Sequence, residues 1–225
     1  MQAIVIATKT PKCLPVLISS IDRYVPSHVK VYIAGSEIRG FKQQYINLPN
    51  NGNTFGESYN EVVNEAFKHH DHIIVANDDV VLTPTSYQKL GDDYKFLGME
   101  LPNNRLGWIA AKSDYCRGAQ NIREFTRRNG IRYEEEDAII RTDVISPLFA
   151  AITKEAWVDY PPINWYSDDI QCMDIEAKGY ENYASSSYVH HVGSQTIGMD
   201  HQKNHLDAEE WIRHNRPSLH KLWFK

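Results

Sequence analysis

Short apolar runs alternate with amphipathic segments in the first third of the chain, and this alternation constrains the fold more than any other feature of the sequence. The runs at 3–8, 28–35 and 71–84 are rich in β-branched residues and are predicted to be strands. The segments at 10–26 and 54–67 carry apolar side chains at helical spacing. Strands that alternate with helices form a mostly parallel sheet with helices on its faces. The sequence therefore predicts an α/β fold.

Residue pairs typical of helix starts indicate where the helices begin. Thr10-Pro11 and Thr83-Pro84 each place a capping hydroxyl before a proline at the first helical position. Thr54 and Glu57 have the spacing of a capping box.

The rest of the chain is less regular but contains no repeat, linker or low-complexity tract. Residues 106–112 and 143–153 are predicted to be strands, and Thr153 to cap a short helix that extends to Trp157. A final polar helix is expected around 207–214. A single domain with an irregular C-terminal half is therefore expected.

Composition and charge argue against several classes of protein. Hydrophobic residues make up 42% of the chain and charged residues 24%, as in a folded protein. The net charge of −5 disfavours nucleic acid as a partner. No apolar run reaches the roughly 18 residues that a membrane span needs, and the N-terminus lacks a signal-peptide pattern. With three cysteines and no CxxC spacing, we expect a cytoplasmic protein without an integral membrane segment.

Asn77, Asp78 and Asp79 interrupt an apolar strand. Adjacent carboxylates repel each other and resist burial unless a positive partner lies near them. Ligands of open α/β sheets bind at the carboxyl ends of strands, where Thr8-Lys9 and Gly35-Ser36 are also expected. A divalent cation that joins the acids to nucleotide phosphates would supply the positive charge. The alternative is that the acids cap the next helix or pair with a lysine.

A second acidic pair, Asp168 and Asp169, follows Trp165 and Tyr166 and precedes a helical pattern. Acids at a helix start are common caps. A carboxylate surrounded by aromatic rings, however, has a raised pKa that suits a general base for a sugar hydroxyl. Spacing alone leaves both interpretations open.

Two adjacent histidines, His190 and His191, end a predicted strand. Because side chains alternate along a strand, at most one of them should enter a shared site. The cluster at 69–72 is predicted to be a solvated turn, and His201 and His205 are predicted to lie at the surface.

Charge runs and standard motifs add little. The segment from Arg117 to Arg132 is predicted to be a solvated helix because acids follow it closely, with phosphate binding as the alternative. No GxGxxG, GxxxxGK[ST] or GxSxG pattern is present, which argues against dinucleotide oxidoreductases, P-loop enzymes and α/β-hydrolases.

In this order, the segments resemble the GT-A glycosyltransferases, in particular the large inverting glycosyltransferase family 2. Residues 50–84 are similar to the family's Asn/Gly-rich loop, helix and strand ending in a DXD-type motif. Residues 148–157, 165–183 and 189–196 are similar to its acceptor-side strand, its Asp-Asp helix and its strand ending in histidine. The resemblance covers residues 3 to about 197.

The resemblance implies a Rossmann-like GT-A fold and a nucleotide-diphosphate sugar as donor. Residues 1–100 would bind the nucleotide sugar, and residues 101–225 would bind a glycan or another acceptor with a hydroxyl group and carry the catalytic groups. The residues implied to bind the nucleotide are Thr8, Lys9 and Ser36 at the base and ribose, Asn60 from the helix, and Asp78 at the ribose or diphosphate.

The same resemblance implies a Mn²⁺ or Mg²⁺ site and a catalytic base. Asn77, Asp79 and His191 would hold the metal. Asp169 would remove the proton of the acceptor hydroxyl, and Asp168 would orient the acceptor. The product would have inverted stereochemistry.

Three positions depart from the family pattern. Asn77 replaces the first aspartate of the DXD motif, Gln171 stands where relatives often carry an acid, and Glu37 stands where an aspartate often contacts the base. Two alternatives are therefore a non-catalytic nucleotide- or carbohydrate-binding module and a sugar-nucleotide pyrophosphorylase-like enzyme. The absence of a glycine-rich loop after the first strand argues against the second.

Overall fold

A computed structural model describes residues 1–9, 12–39, 44–114, 116–122, 138–192 and 201–224. Within these ranges the strands are β1 (Ala3–Ala7), β2 (Lys30–Ala34), β3 (Gln44–Leu48), β4 (His72–Asn77), β5 (Val80–Leu82), β6 (Leu106–Lys112), β7 (Ile140–Arg141), β8 (Phe149–Thr153) and β9 (Glu181–His191). The α-helices are α1 (Leu14–Tyr24), α2 (Phe55–Ala66), α3 (Ser86–Glu100), α4 (Ser167–Ala177), α5 (His201–Asn215) and α6 (Pro217–Trp223). The predicted α/β class is confirmed.

The strands form one sheet in the order β3-β2-β1-β4-β8-β6-β9-β5, with β7 beside β9. The first four strands in this order are parallel, as predicted. In the chain, helix α1 connects β1 to β2 and helix α2 connects β3 to β4. Helical crossovers of this kind give parallel strands. Beyond β4 the sheet is mixed, because β8 runs antiparallel to both β4 and β6 while β6 and β9 are parallel.

Both faces of the parallel strands are covered by helices. Ile4 and Ile6 of β1 belong to a core that includes residues of α1 and α3. Val5, which points to the other face, belongs to a second core with residues of α2 and α4. A strand that is buried on both faces reads as a continuous apolar run, which explains the pattern in the sequence.

The helix starts were predicted with mixed success. The capping box of α2 is confirmed, since Thr54 Oγ1 accepts the Glu57 N–H at 3.2 Å and Glu57 Oε2 accepts the Thr54 N–H at 3.0 Å. Helix α3 begins at Ser86, later than Thr83-Pro84 predicted, because Ser86 Oγ accepts the Thr83 N–H at 2.7 Å and closes a turn first. The Thr10-Pro11 pair lies outside the described residues.

Two other local predictions were wrong. Residues 154–156 form a turn and not a helix, in which Thr153 Oγ1 accepts the Ala156 N–H at 3.0 Å. The segment 69–72 is not fully solvated, because His70 is buried and its Nε2 lies 3.2 Å from the Tyr32 hydroxyl. In both cases a nearby hydrogen-bond partner overrides the local pattern.

Helices α5 and α6 cover the start of α4. Ile163 and Ile170 pack with Ala208 and Ile212 of α5 in a third core. Helix α5 extends over more residues than the 207–214 expected from the sequence. Among the helices in the described ranges, none is long and apolar enough to cross a membrane.

Candidate active site

The parallel register brings the ends of β1, β2 and β4 to the same edge of the sheet. Ala7 pairs with both Ala34 and Asn77, so Thr8 and Asp78, the next residues, lie side by side. The Thr8 hydroxyl donates a hydrogen bond to Asp78 Oδ2 at 2.5 Å, and both residues are buried. Thr8 therefore supplies part of the stabilisation that the buried Asp78 carboxylate requires.

The other acid of this turn, Asp79, lies against a histidine. Val80 of β5 pairs with His191 of β9, and His191 Nε2 lies 3.3 Å from Asp79 Oδ1. The Asp79 and His191 side chains are only 6% and 10% exposed, whereas the His190 side chain is 55% exposed. His191 therefore lies against Asp79 while His190 is exposed, as the alternation of side chains along a strand predicts.

Most of the residues predicted to bind the nucleotide or the metal line one cavity of about 220 Å³. They are Thr8, Lys9, Asn77, Asp78, Asp79 and His191. Ser36 and Asn60 do not line this cavity, which is named the donor-side cavity after the residues predicted to bind the donor. The Asn60 side chain instead bonds the backbone of Tyr160, donating to its carbonyl at 2.9 Å and accepting its N–H at 2.8 Å.

Tyr59 is a cavity residue that sequence patterns did not indicate. Its hydroxyl donates to the Ala76 carbonyl at 2.9 Å and lies 3.3 Å from Asn77 Oδ1. Burial and the nearby Asp78 raise the pKa of Tyr59 well above its usual value, so the hydroxyl stays protonated. In the sequence, Tyr59 is recognisable only as part of the buried face of α2. That pattern does not indicate the contact of its hydroxyl with Ala76 and Asn77.

Arg117 is the most important residue that the sequence analysis missed. Its Nη1 donates to Asp169 Oδ1 at 2.8 Å and its Nη2 to Asp168 Oδ2 at 2.9 Å. The prediction of a solvated charge run does not hold for Arg117, because it is bound to two acids about fifty positions away in the sequence. The arginines at 123, 127, 128 and 132 lie outside the described residues.

The ion pairs give the two carboxylates different surroundings. Burial and the neighbouring Asp168 raise the pKa of Asp169 to about 6, although Arg117 opposes the rise. Burial disfavours the charged form of Arg117, but the two carboxylates outweigh this effect and raise its pKa above the usual value. A carboxylate with a pKa near 6 is ionised at neutral pH and still takes up a proton readily, which suits a general base.

The backbone at the start of α4 positions the carboxylates of Asp168 and Asp169. Tyr166 precedes the helix with φ of 62°, a left-handed conformation that costs about 1 kcal/mol or more in a residue other than glycine. Asp168 Oδ1 also accepts the N–H of Asp169 at 3.1 Å, so the helix-start interpretation holds in part for Asp168. The contacts to Arg117 go beyond that role.

A groove of about 480 Å³ lies beside the donor-side cavity and reaches the second acidic pair at Asp168. Asp168 and Arg117 line it, and Asn77, Asn164 and His191 line both this groove and the donor-side cavity. A molecule in the groove would therefore lie beside one bound in the donor-side cavity.

The donor-side cavity offers a partial set of metal ligands. Within the described ranges, no group of three or more His, Cys, Asp or Glu side chains could hold a metal. Asp79, His191 and the Asn77 amide oxygen nonetheless line one cavity, and Mn²⁺ and Mg²⁺ commonly take one or two protein ligands together with substrate phosphates. These residues therefore fit a divalent cation whose coordination a diphosphate would complete.

Comparisons with known proteins give matches among solved structures alone. No protein-family model and no curated protein matches the sequence. TarS 1–349 from S. aureus aligns with a TM-score of 0.59 at 12% identity, over 94% of this chain and 64% of the TarS fragment. GalNAc-T7, crystallised with UDP, GalNAc and Mn²⁺, aligns with a TM-score of 0.62 at 12% identity, over 93% of this chain and 47% of the other.

A197 from STIV aligns less closely, with a TM-score of 0.50 at 14% identity over 84% of this chain and 83% of A197. A further structure of TarS 1–349 is a complex with UDP-GlcNAc. The chain spans less than two thirds of the TarS fragment and about half of the GalNAc-T7 chain. At such low identity the likeness establishes the fold, and the chain has the GT-A fold of these structures.

Proposed function

We propose that this protein is an inverting, metal-dependent glycosyltransferase that moves a sugar from a nucleotide-diphosphate sugar to an acceptor hydroxyl. The observation that carries the proposal is the groove itself. It joins a cavity containing Asp79 and His191 to Asp168, whose partner Arg117 also binds Asp169. The structures of TarS with UDP-GlcNAc and of GalNAc-T7 with UDP support the choice of donor.

On the donor side, Thr8, Lys9 and Asp78 would contact the nucleotide, since they line the cavity at the strand ends. Asn77, Asp79 and His191 would hold Mn²⁺ or Mg²⁺. The cation would offset the negative charge of the diphosphate and make it a better leaving group. The predicted contacts of Ser36 and Asn60 with the nucleotide have no support from the cavity and stay predictions.

On the acceptor side, Asp169 would act as the base and Asp168 would orient the acceptor. As the acceptor oxygen forms a bond to the anomeric carbon, the bond from that carbon to the diphosphate oxygen breaks. The hydroxyl proton passes to Asp169, and the bonding electron pair leaves with the nucleoside diphosphate. Attack from the side opposite the leaving group inverts the anomeric centre.

The division of labour along the chain belongs to the same proposal. Residues 1–100 would supply most donor contacts, and residues 101–225 the acceptor site and the base. His191 and Asn164 line the donor-side cavity from the second half, so the two halves form one site. The three cysteines are unpaired, in keeping with the proposed cytoplasmic location.

The proposal can be tested without knowing the acceptor. The purified protein is incubated with a panel of nucleotide-diphosphate sugars and with Mn²⁺, Mg²⁺ or EDTA, and free nucleoside diphosphate is measured. We expect slow hydrolysis of one donor that requires the cation. Asp79→Ala should abolish this hydrolysis. The control is Asp71→Ala, which should not, because Asp71 is an exposed acid just before the first residue of β4, at the end of the strand away from Asp79.

The contradicting result is equally clear. If no donor is hydrolysed and calorimetry detects no cation-assisted donor binding, the transferase proposal fails. Donor binding without any turnover would favour a non-catalytic nucleotide-sugar-binding module.

A further inference from the structure

Tyr166 lines both the groove and another cavity, of about 620 Å³, which none of the residues predicted to bind the nucleotide or the metal lines. The volume lies within the range of about 300–1,000 Å³ that is typical of ligand pockets. The side chains that line this second cavity include four aromatic rings and three acids, namely Tyr166, His205, Trp223, Phe224, Asp143, Asp169 and Glu176. Of the two paired acids, Asp168 lines the groove and Asp169 lines the second cavity.

The aromatic rings form a wall that is partly open to the second cavity. The ring centroids of Tyr166 and Trp223 are 5.6 Å apart at an angle of 38°, and those of Tyr166 and Phe224 are 5.8 Å apart at 81°. All three residues are half-buried. Aromatic faces carry partial negative charge, and they therefore attract the C–H groups on the apolar face of a sugar ring.

The acids offer hydrogen-bond acceptors beside this wall. Asp169 is 8% exposed, and its Oδ2 has no hydrogen-bond partner among the described residues. Burial and the nearby Asp143 also raise the pKa of Glu176, although Arg141 opposes the rise. Carboxylates are hydrogen-bond acceptors, so a ligand that carries hydroxyl groups suits a cavity lined by these acids.

The charges limit what the ligand can be. Three carboxylates would repel an acidic ligand. A cationic ligand is disfavoured as well, because Arg117 already binds Asp169 at 2.8 Å and Arg141 lies close enough to act on Glu176. The ligand that meets both conditions is uncharged and rich in hydroxyl groups.

We propose that the second cavity binds a neutral saccharide of the acceptor, with its ring against Tyr166 and Trp223 and its hydroxyl groups toward the acidic residues Asp143, Asp169 and Glu176. This inference rests on the proposed function and names the acceptor class. It also gives α6 a role in choosing the acceptor.

The test measures, by ligand-observed NMR, the affinity of the protein for neutral methyl glycopyranosides and for the matching methyl uronates. We expect saturable binding of at least one neutral glycoside, and binding of its uronate weaker by about tenfold or more. Trp223→Leu keeps an apolar side chain but removes the aromatic face, and should weaken glycoside binding by about tenfold. Phe96→Leu, a control at a 50% exposed ring on α3, should have no effect.

Glu176→Gln removes one negative charge. It should reduce the ratio of the glycoside affinity to the uronate affinity severalfold. This variant decides the outcome if Trp223→Leu does not fold. Equal binding of glycoside and uronate, or no glycoside binding at all, would overturn the inference. Tighter binding of methylammonium compounds than of glycosides would show a cation site instead.

Donor hydrolysis separates failure of the inference from failure of the proposed function. Hydrolysis without glycoside binding leaves the transferase and rejects this acceptor class. Glycoside binding without donor hydrolysis or donor binding leaves a saccharide site and rejects the transferase.

Discussion

The two sides of the groove hold their acids in different ways. On the donor side, Asp78 and Asp79 follow β4, whose backbone is paired with β1 and β8 in the middle of the sheet. On the acceptor side, Asp168 and Asp169 are held by the guanidinium of Arg117, a side chain that is 49% exposed. The backbone of the sheet therefore positions Asp78 and Asp79, whereas ion pairs with Arg117 hold the side chains of Asp168 and Asp169. Substitution of the side chains that hold these acids should therefore act mainly on stability at Thr8 on the donor side, and on pH dependence at Arg117 on the acceptor side.

The largest expected effect is on the acceptor side. Asp169→Asn should lower the rate of sugar transfer by about 10²- to 10⁴-fold, because asparagine cannot take up the proton of the acceptor. Donor binding, measured by calorimetry, should be unchanged. Asp174→Asn is the control, since this acid lies on the same helix and pairs with Arg216 at 2.6 Å. If Asp168→Asn abolished transfer and Asp169→Asn did not, the base would be Asp168.

The next effect concerns pH. The base must be ionised, so the rate should fall as the pH drops through about 6, the pKa of Asp169. Arg117 holds that pKa down, and Arg117→Met should therefore move the acidic limb of the kcat profile upward by about one pH unit. Arg117→Lys keeps the charge and should move it less. An unchanged profile in Arg117→Met would show that Arg117 does not act on the base.

On the donor side, stability should respond instead. Thr8→Val keeps the shape of the side chain but removes the hydroxyl that donates to the buried Asp78. The free energy of unfolding should fall by about 1–3 kcal/mol in urea titrations. Arg117→Met should cost less than about 1 kcal/mol, because its guanidinium is half exposed. Equal losses in the two variants would contradict the contrast between the two sides.

The smallest effect tests the contact between the halves. Asn60→Ala removes two hydrogen bonds between α2 and the Tyr160 backbone, and should lower the free energy of unfolding by about 1–2 kcal/mol. Asn60→Asp keeps the acceptor and should cost less. The KM for the donor should change by less than about threefold, under about 0.7 kcal/mol. A larger change would favour the prediction from sequence that Asn60 supports the nucleotide pocket.

Local patterns predicted part of the lining of the donor-side cavity, although not Tyr59. The strands are continuous apolar runs because both of their faces are buried, and parallel strands place their ends at one edge. Thr8, Asp78 and Asp79 could therefore be assigned to one site before any coordinates were known. The capping box of α2 was equally readable, because both of its hydrogen bonds join residues three positions apart.

The acceptor side could be predicted only in part. Asp168 and Asp169 were identified, but Arg117 was not, since its partners are 51 and 52 positions away and no local pattern records that contact. His205 was expected at the surface, yet its Nδ1 lies 3.0 Å from the Tyr166 hydroxyl. The left-handed conformation of Tyr166 also escaped prediction, because residues other than glycine, asparagine and aspartate seldom adopt it.

Tyr166 has a consequence for how this protein could change during evolution. It is the residue from which α4 starts, and its ring contacts Trp223 and Phe224 at the end of α6. A mutation in α6 that admits a new acceptor would therefore also disturb the orientation of Asp169, the proposed base. If α6 selects the acceptor as proposed, acceptor choice and turnover are coupled, and we expect new specificities to arise through paired substitutions at Tyr166 and α6 more readily than through single ones.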